Sequence, residues 1–266
     1  MKRARWIAVT AGVGSLEFEG AAKRVKADLE ESGVVDKVIA VLTRDLPEIC
    51  PVTSKIYSEL MNPDTRGFGF MSWKAEIVKA AFDGMWGEFD GVIWIDAGCE
   101  VSINPFSRLK FRYFQKYART HGVACFALST KEFQYTKRDM FDLFPEIDPY
   151  SAGDQIQTTW MMLYAECGRD ISDDWFDLVC QGTHLLDLEP SKNDELQGFI
   201  ENRYDQSAFS LVCKNKSIRV MQHRPTAGSG SYISTLRGLV NPIWTSRNRG
   251  PASIKRKIHN LFENRK

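Results

Sequence analysis

Apolar residues in this chain fall into short unbroken runs, separated by stretches in which they recur three or four positions apart. The runs Trp6–Thr10, Lys37–Thr43, Gly91–Ile95 and Gly122–Leu128 are mostly apolar and about the length of strands buried on both faces. Ile156–Tyr164 reads as a further strand and Ser217–Gln222 as a short last one, ending at His223. Between them, Glu17–Ser32 has helical spacing and Gly33 closes it. Ser72 is placed to cap a helix over Trp73–Met85, Asn104-Pro105 opens one running to Arg119, and Ser172–Gln181 and Tyr204–Asn215 also read as helices. Asn62–Phe70 is a turn-rich loop, and Pro190–Asn193 and Arg224–Ser231 are loops rather than linkers. The opening strand, helix, strand unit predicts an α/β fold: a mostly parallel central sheet flanked by helices, in a single domain over residues 1–245.

Composition narrows the class without naming it. Of 266 residues, 43% are apolar and 26% charged, as in an ordinary globular protein. The 35 basic and 34 acidic residues nearly cancel, so overall charge gives no reason to expect nucleic acid. Residues 246–266 depart from that balance, with seven basic residues against Glu263 alone. Such a tail suits peripheral contact with an anionic membrane, although a solvated terminal helix has the same composition. The six cysteines are scattered, without Cys-x-x-Cys pairs, and read as free thiols. The basic start imitates a signal peptide, but its apolar stretch is short and runs into Glu17; no window reaches the roughly 20 apolar residues of a membrane span. The expected setting is cytoplasmic, with the inner face of a membrane within reach.

The densest chemistry lies in GVIWIDAGCE, Gly91–Glu100. A buried strand that stops at Asp96 delivers a carboxylate to the carboxyl edge of a sheet, where α/β proteins bind ligands. Ala97 and Gly98 leave room for a bulky phosphate, and Glu100 is a candidate second oxygen ligand for a hard divalent cation. A strand followed by a capped turn has the same sequence. Gly12-x-Gly14 lacks the remainder of a dinucleotide fingerprint, so Thr10 and Gly12 are kept as contacts for a nucleotide lying over the first turn. Trp73-Lys74 combines a stacking surface with a cation at a helix start, and Lys137-Arg138 is a candidate anion clamp. Either pair also fits an ordinary core tryptophan or a solvated charged turn.

Taken in order, GFGFMSWKAEIVKAA, GVIWIDAGCE, GDQIQTTWMMLY and RYDQSAFSLV resemble a bacterial group of GT-A-type glycosyltransferases that use nucleotide-sugar donors. The resemblance covers roughly Trp6–His223 and implies a GT-A-like, Rossmann-like fold. It implies that Asp96 belongs to a D-x-D-type motif binding the donor diphosphate through Mn2+ or Mg2+, with Glu100 and His223 as further ligands. Gly98 stands where the second acid of D-x-D usually falls, which puts metal dependence in doubt. The resemblance further implies that Asp154, Gln155 and Gln157 face the sugar and acceptor and that Asp205-Gln206 lies near the donor sugar. Asp154 or Asp205 is then the base of an inverting enzyme, whereas a retaining one lets the leaving phosphate accept the proton. The function implied is transfer of a sugar from a UDP- or GDP-linked donor to a cell-surface glycan or lipid-linked acceptor, in polysaccharide biosynthesis. The alternatives are a catalytically degenerate scaffold subunit, which Gly98 favours, and a sugar nucleotidyltransferase, whose fuller phosphate loop is missing.

Overall fold

The structure, a computed structural model, describes residues 3–102, 104–222 and 241–245. Strand β1 (Trp6–Gly12) leads through a tight turn to α1 (Leu16–Ser32). Ser15 caps that helix by accepting from the Phe18 amide, and Gly33 ends it at φ 62°. Strand β2 (Lys37–Leu42) follows, then short helical turns, α2 (Trp73–Phe82), β3 (Gly91–Ile95), β4 (Glu100–Val101) and α3 (Pro105–His121). The chain continues through β5 (Val123–Ala124), β6 (Phe126–Lys131), β7 (Asp154–Ile156), β8 (Trp160–Tyr164), α4 (Ala165–Cys180), α5 (Asp205–Asn215) and β9 (Met221–Gln222). Strand β10 (Ile243–Trp244) pairs antiparallel with β4.

The central sheet has the order β2-β1-β3-β8-β5. Strands β2, β1 and β3 are parallel, and β8 is inserted antiparallel to both β3 and β5, so the sheet is mostly parallel. Helices cover both faces. Val25 and Leu29 of α1 and Phe111 and Phe114 of α3 pack with Ala8, Ile93, Ile95 and Met162 on one side. On the other, Ile77 and Val78 of α2, Trp175 of α4 and Phe209 of α5 pack with Ile7, Val9, Val92 and Met161. Double-sided burial is why these strands read as unbroken apolar runs.

Two expected strands are each divided. Gly122–Leu128 breaks at Cys125 into β5 and β6, and Ile156–Tyr164 breaks at Gln157–Thr159 into β7 and β8. β5 and β8 remain in the central sheet, whereas β6, β7 and β9 form a second, three-stranded sheet. Apolar content continues through the first break, and the second, Gln157-Thr158-Thr159, is polar but still compatible with a strand, so the residues do not show that the paired chains pass from one sheet to another. Other boundaries shift less: α2 ends at Phe82, with Gly84 at φ 86° just beyond it, and α4 starts at Ala165 instead of Ser172.

Ser72 does not cap α2. Its hydroxyl is buried and unpartnered, and the residues before it form a left-handed turn. Gly67, Phe68, Gly69, Phe70 and Met71 all have positive φ, from 52° to 86°, and the Phe70 and Met71 amides donate back to Arg66 and Gly67. Three of these residues carry a side chain, and each costs about 1–2 kcal/mol in this region. His223, the Arg224–Ser231 loop and the basic tail lie outside the described residues. The described segments contain no helix long and apolar enough to cross a membrane, and all six cysteines are free.

Gly12 is a packing residue. A Cβ there would sit 2.2 Å from the Phe18 carbonyl oxygen and 2.6 Å from Glu19 Cα, so the space expected for a nucleotide is filled by the first turn of α1. Backbone on both sides cannot yield as a side chain could. Gly12→Ala is expected to destabilise the fold by about 3 kcal/mol or more, read as a lowered midpoint in urea; an unchanged midpoint would mean that α1 can move away from β1.

Candidate active site at the carboxyl edge of the central sheet

Asp96 follows β3 directly, at the same edge as the turn leaving β1, where the Gly14 amide donates to Thr43 Oγ1 at 3.0 Å. Its own amide donates to the Thr159 carbonyl at 2.8 Å, which fastens it to the break between β7 and β8. The Trp94 indole N–H donates to Asp96 Oδ1 at 2.7 Å, and the Lys74 ammonium lies 3.1 Å from the same oxygen. Lys74 also lies 2.8 Å from Asp205 Oδ2 and donates to Thr158 Oγ1 at 3.5 Å. Thr158 in turn donates to Asp205 Oδ2 at 3.0 Å. One cation from the first turn of α2 therefore joins the end of β3, the β7–β8 break and the first residue of α5.

Exposure divides the roles in this trio. The Lys74 side chain is 1% exposed and that of Asp205 3%, whereas that of Asp96 is 31%. Burial alone would depress the Lys74 pKa, but Asp205 and Asp96 outweigh it and hold the ammonium above the ordinary lysine range. Burial pushes Asp205 up, against the pull of Lys74. One ammonium beside two carboxylates leaves negative charge over, and Asp96 is the member of the trio that reaches solvent with it. That remainder faces outward, suited to a ligand bringing positive charge.

A second layer of polar contacts braces the break. The Thr158 amide donates to Gln206 Oε1 at 3.5 Å, and Gln206 Nε2 donates to Gln155 Oε1 at 2.7 Å. Gln155 donates to the Tyr135 carbonyl at 3.1 Å, and the Arg203 guanidinium lies 3.6 Å from the centre of the Tyr135 ring. Gln157 is buried with its Nε2 unpartnered. On the far side of Asp96, Arg24 of α1 donates to the carbonyls of Ala97 at 3.0 Å and Cys99 at 2.9 Å, clamping the turn after the strand.

Several expected contacts take other roles. Lys74 is not presented to phosphate, because its protons are committed to Asp96, Asp205 and Thr158. Trp73 is a core residue whose indole N–H donates to the Gly67 and Phe68 carbonyls at 3.2 and 3.1 Å, so it offers no free stacking face. Thr10 is fully buried within β1, out of reach of a ligand. Lys137-Arg138 forms no clamp: Lys137 is buried against Asp187 and the His184 and Glu189 carbonyls, and Arg138 pairs with Asp142 at 2.7 Å. Asp154 sits opposite Lys131 in the small sheet and pairs with it at 2.8 Å. Glu100 is 3% exposed, buried beside the Arg24 guanidinium.

Sequence reasoning missed Thr158, Arg24 and the true role of Lys74. Arg24 had a signal, since Arg24, Asp28 and Ser32 continue the stripe of α1 that carries Ala21, Val25 and Leu29, and all are buried. Thr158 had none, lying inside what reads as one strand.

No protein-family model matches the chain, and no curated protein is significantly similar to it. Among the solved structures that resemble it in shape are two glycosyltransferases. One is a glycosyltransferase involved in the glycosylation of the major capsid of PBCV-1, at 11% identity and TM-score 0.47, covering 90% of this chain and 93% of that one. The other is mouse xyloside xylosyltransferase 1 in its apo form, at 12% identity and TM-score 0.47, covering 94% and 100%. Likenesses this weak carry no argument about activity, which rests on the geometry of the site.

Removing the cation tests that geometry. Lys74→Met leaves Asp205 buried without its counter-ion and is expected to cost about 3–5 kcal/mol. Replacing both charges, Lys74→Met with Asp205→Leu, is expected to recover most of that loss. Chemical denaturation of the single and double variants measures both; equal loss in the two would deny Lys74 and Asp205 their mutual dependence.

Proposed function

We propose that the chain is a glycosyltransferase that moves a sugar from a UDP- or GDP-linked donor to a cell-surface glycan or lipid-linked acceptor. The observation that carries this reading is the partly exposed Asp96 at the carboxyl edge of the parallel strands, held from behind by a buried ammonium shared with Asp205. The order of the four sequence stretches around Lys74, Asp96, Gln157 and Asp205 supports it. In the proposed arrangement the donor diphosphate lies at Asp96.

A divalent ion fits this site in a restricted sense. Among the described residues no three His, Cys, Asp or Glu side chains converge to hold a metal. Mg2+ and Mn2+ at diphosphates commonly need one or two carboxylates, with phosphate and water completing the shell. Asp96 would supply that carboxylate, and the ion would neutralise charge on the departing diphosphate. Glu100 is turned into the protein, and His223 remains a proposed ligand outside the described residues.

The protein's own groups do the positioning. Transfer breaks the bond between anomeric carbon and phosphate, so charge grows on the diphosphate while the sugar gains oxocarbenium character. Lys74 and the Trp94 indole fix the direction of the Asp96 carboxylate before any ligand arrives, and such preorganisation is the usual source of electrostatic catalysis. Thr158, Gln206 and Gln155 hold the β7–β8 break against the same edge. Asp205 and Asp154 are both engaged in ion pairs, so neither stands ready to take a proton from an acceptor hydroxyl.

The degenerate scaffold reading has one observation in its favour: Lys74 already neutralises part of the Asp96 charge, and Gly98 brings no second acid. Thermal unfolding with UDP, GDP, CDP and their sugars, each with and without Mn2+, separates the two, because a ligand at 100 times its Kd stabilises by about 2.7 kcal/mol. A manganese-dependent rise for one nucleotide, together with transfer or hydrolysis of its sugar, is expected. Asp96→Asn should lower turnover about 100-fold or more while the protein stays folded. Nucleotide binding without any sugar release would leave the scaffold; turnover unchanged in Asp96→Asn would remove Asp96 from the chemistry.

A further inference from the structure

Helix α3 has two apolar faces. Ser107, Phe111, Phe114, Gln115 and Ala118 turn into the core. Phe106, Leu109 and Tyr113 turn outward, 69%, 69% and 57% exposed. Spaced three and four residues apart, these outward side chains form one continuous stripe along the helix. Stripes of large exposed apolar residues mark interaction surfaces rather than ordinary solvated ones.

On the helix itself the charge around the stripe is of one sign. The helix contains Arg108, Lys110, Arg112, Lys116 and Arg119 and no acidic residue. By helical position, Lys110 lies on one flank of the stripe and Arg112, Lys116 and Arg119 on the other. The last three are exposed, and no ion pair described for the structure engages them. Lys110 is also used internally, donating to the Asn241 side chain, which anchors the segment carrying β10 against this helix.

We propose that α3 docks the protein on an anionic lipid membrane, with Phe106, Leu109 and Tyr113 entering the headgroup boundary and the flanking cations meeting lipid phosphates. A basic helix whose exposed apolar stripe is aromatic and aliphatic has the makeup of an interfacial helix. Charge argues against the other occupants. A second copy pairing face to face would bring two acid-free basic helices together, and residues 246–266, with seven basic residues against one acid, are repelled in the same way. Nucleic acid would answer the cations but leave Leu109 and Phe106 without an apolar partner. The proposal does not depend on the transferase reading.

Co-sedimentation of the full chain with vesicles tests it, comparing pure phosphatidylcholine with phosphatidylcholine containing about one-third phosphatidylglycerol. Binding to the anionic vesicles alone, weakening as salt rises, is expected. Leu109→Asp should weaken it about tenfold or more, as should Arg112→Glu with Lys116→Glu, with the thermal unfolding midpoint unchanged because these side chains are exposed. A chain that ignores anionic vesicles overturns the proposal. So does unimpaired binding by Leu109→Asp, or binding lost only on exchanging Lys255, Arg256 and Lys257 for glutamate, which would make the tail the anchor. Without vesicle binding, an RNA complex or a concentration-dependent dimer that Leu109→Asp abolishes would assign the stripe to that partner instead.

Discussion

The ammonium of Lys74 is the constraint on which the carboxyl edge of this sheet depends. A buried lysine is tolerated only when its charge and its protons are answered, and here Asp205, Asp96 and Thr158 answer them. Those partners come from the start of α5, the end of β3 and the break between β7 and β8, segments far apart in sequence. The ion pairs themselves need not add net stability, since desolvation offsets much of their attraction. Their effect is on arrangement: each partner left alone would be a buried charge or an unsatisfied hydroxyl, so the elements are held to one geometry.

Backbone strain gathers around the same point. The left-handed turn over residues 67–71 leads directly into Lys74, and Tyr204, just ahead of Asp205, has φ 52° and ψ −123°. Non-glycine residues in such regions cost about 1–3 kcal/mol each and persist only where their surroundings demand them. The surroundings are specific. Phe70 stacks on Tyr204 with ring centres 5.2 Å apart, the Trp73 indole holds the Gly67 and Phe68 carbonyls, and Phe68 lies against Gly14 in the turn leaving β1. The strained turn thus touches both ends of the edge, the β1 turn and the cap of α5, and places Lys74 between them.

The two sheets give the edge its shape. Had β5–β6 and β7–β8 each continued as one strand, no crossing would pass beside Asp96. Because the paired chains leave the central sheet there, Thr158 and Thr159 pass beside that carboxylate, and Gln155, Gln206 and Arg203 fill the polar space behind. The face of the central sheet covered by α3 is built on a simpler rule. Helix α3 uses one face for the core and leaves another apolar and cationic, and neither demand interferes with the other because they lie on different sides of the helix.

Much of this was legible in the residues themselves. Mostly apolar runs marked the strands buried on both faces, helical spacing marked α1, α2, α3 and α5, and a strand ending in aspartate marked Asp96 as the residue at the edge. These follow from local rules of burial and periodicity, which a linear chain displays. Whether Lys74 faced phosphate or protein, whether Asp154 and Arg138 stood free, and where two apolar runs would bend were not local questions. Trp73 reads the same as a stacking platform or as a core residue, and Gly12 the same as space for a ligand or for α1. Each was decided by what arrived opposite: Asp205 from more than a hundred residues away for Lys74, Lys131 for Asp154, the Phe18 backbone for Gly12. Sequence by itself determined which apolar runs had to be buried; tertiary structure decided which polar groups would join them and which partners would satisfy them, because the cost of a buried charge or hydroxyl is settled only by the atoms that meet it in space.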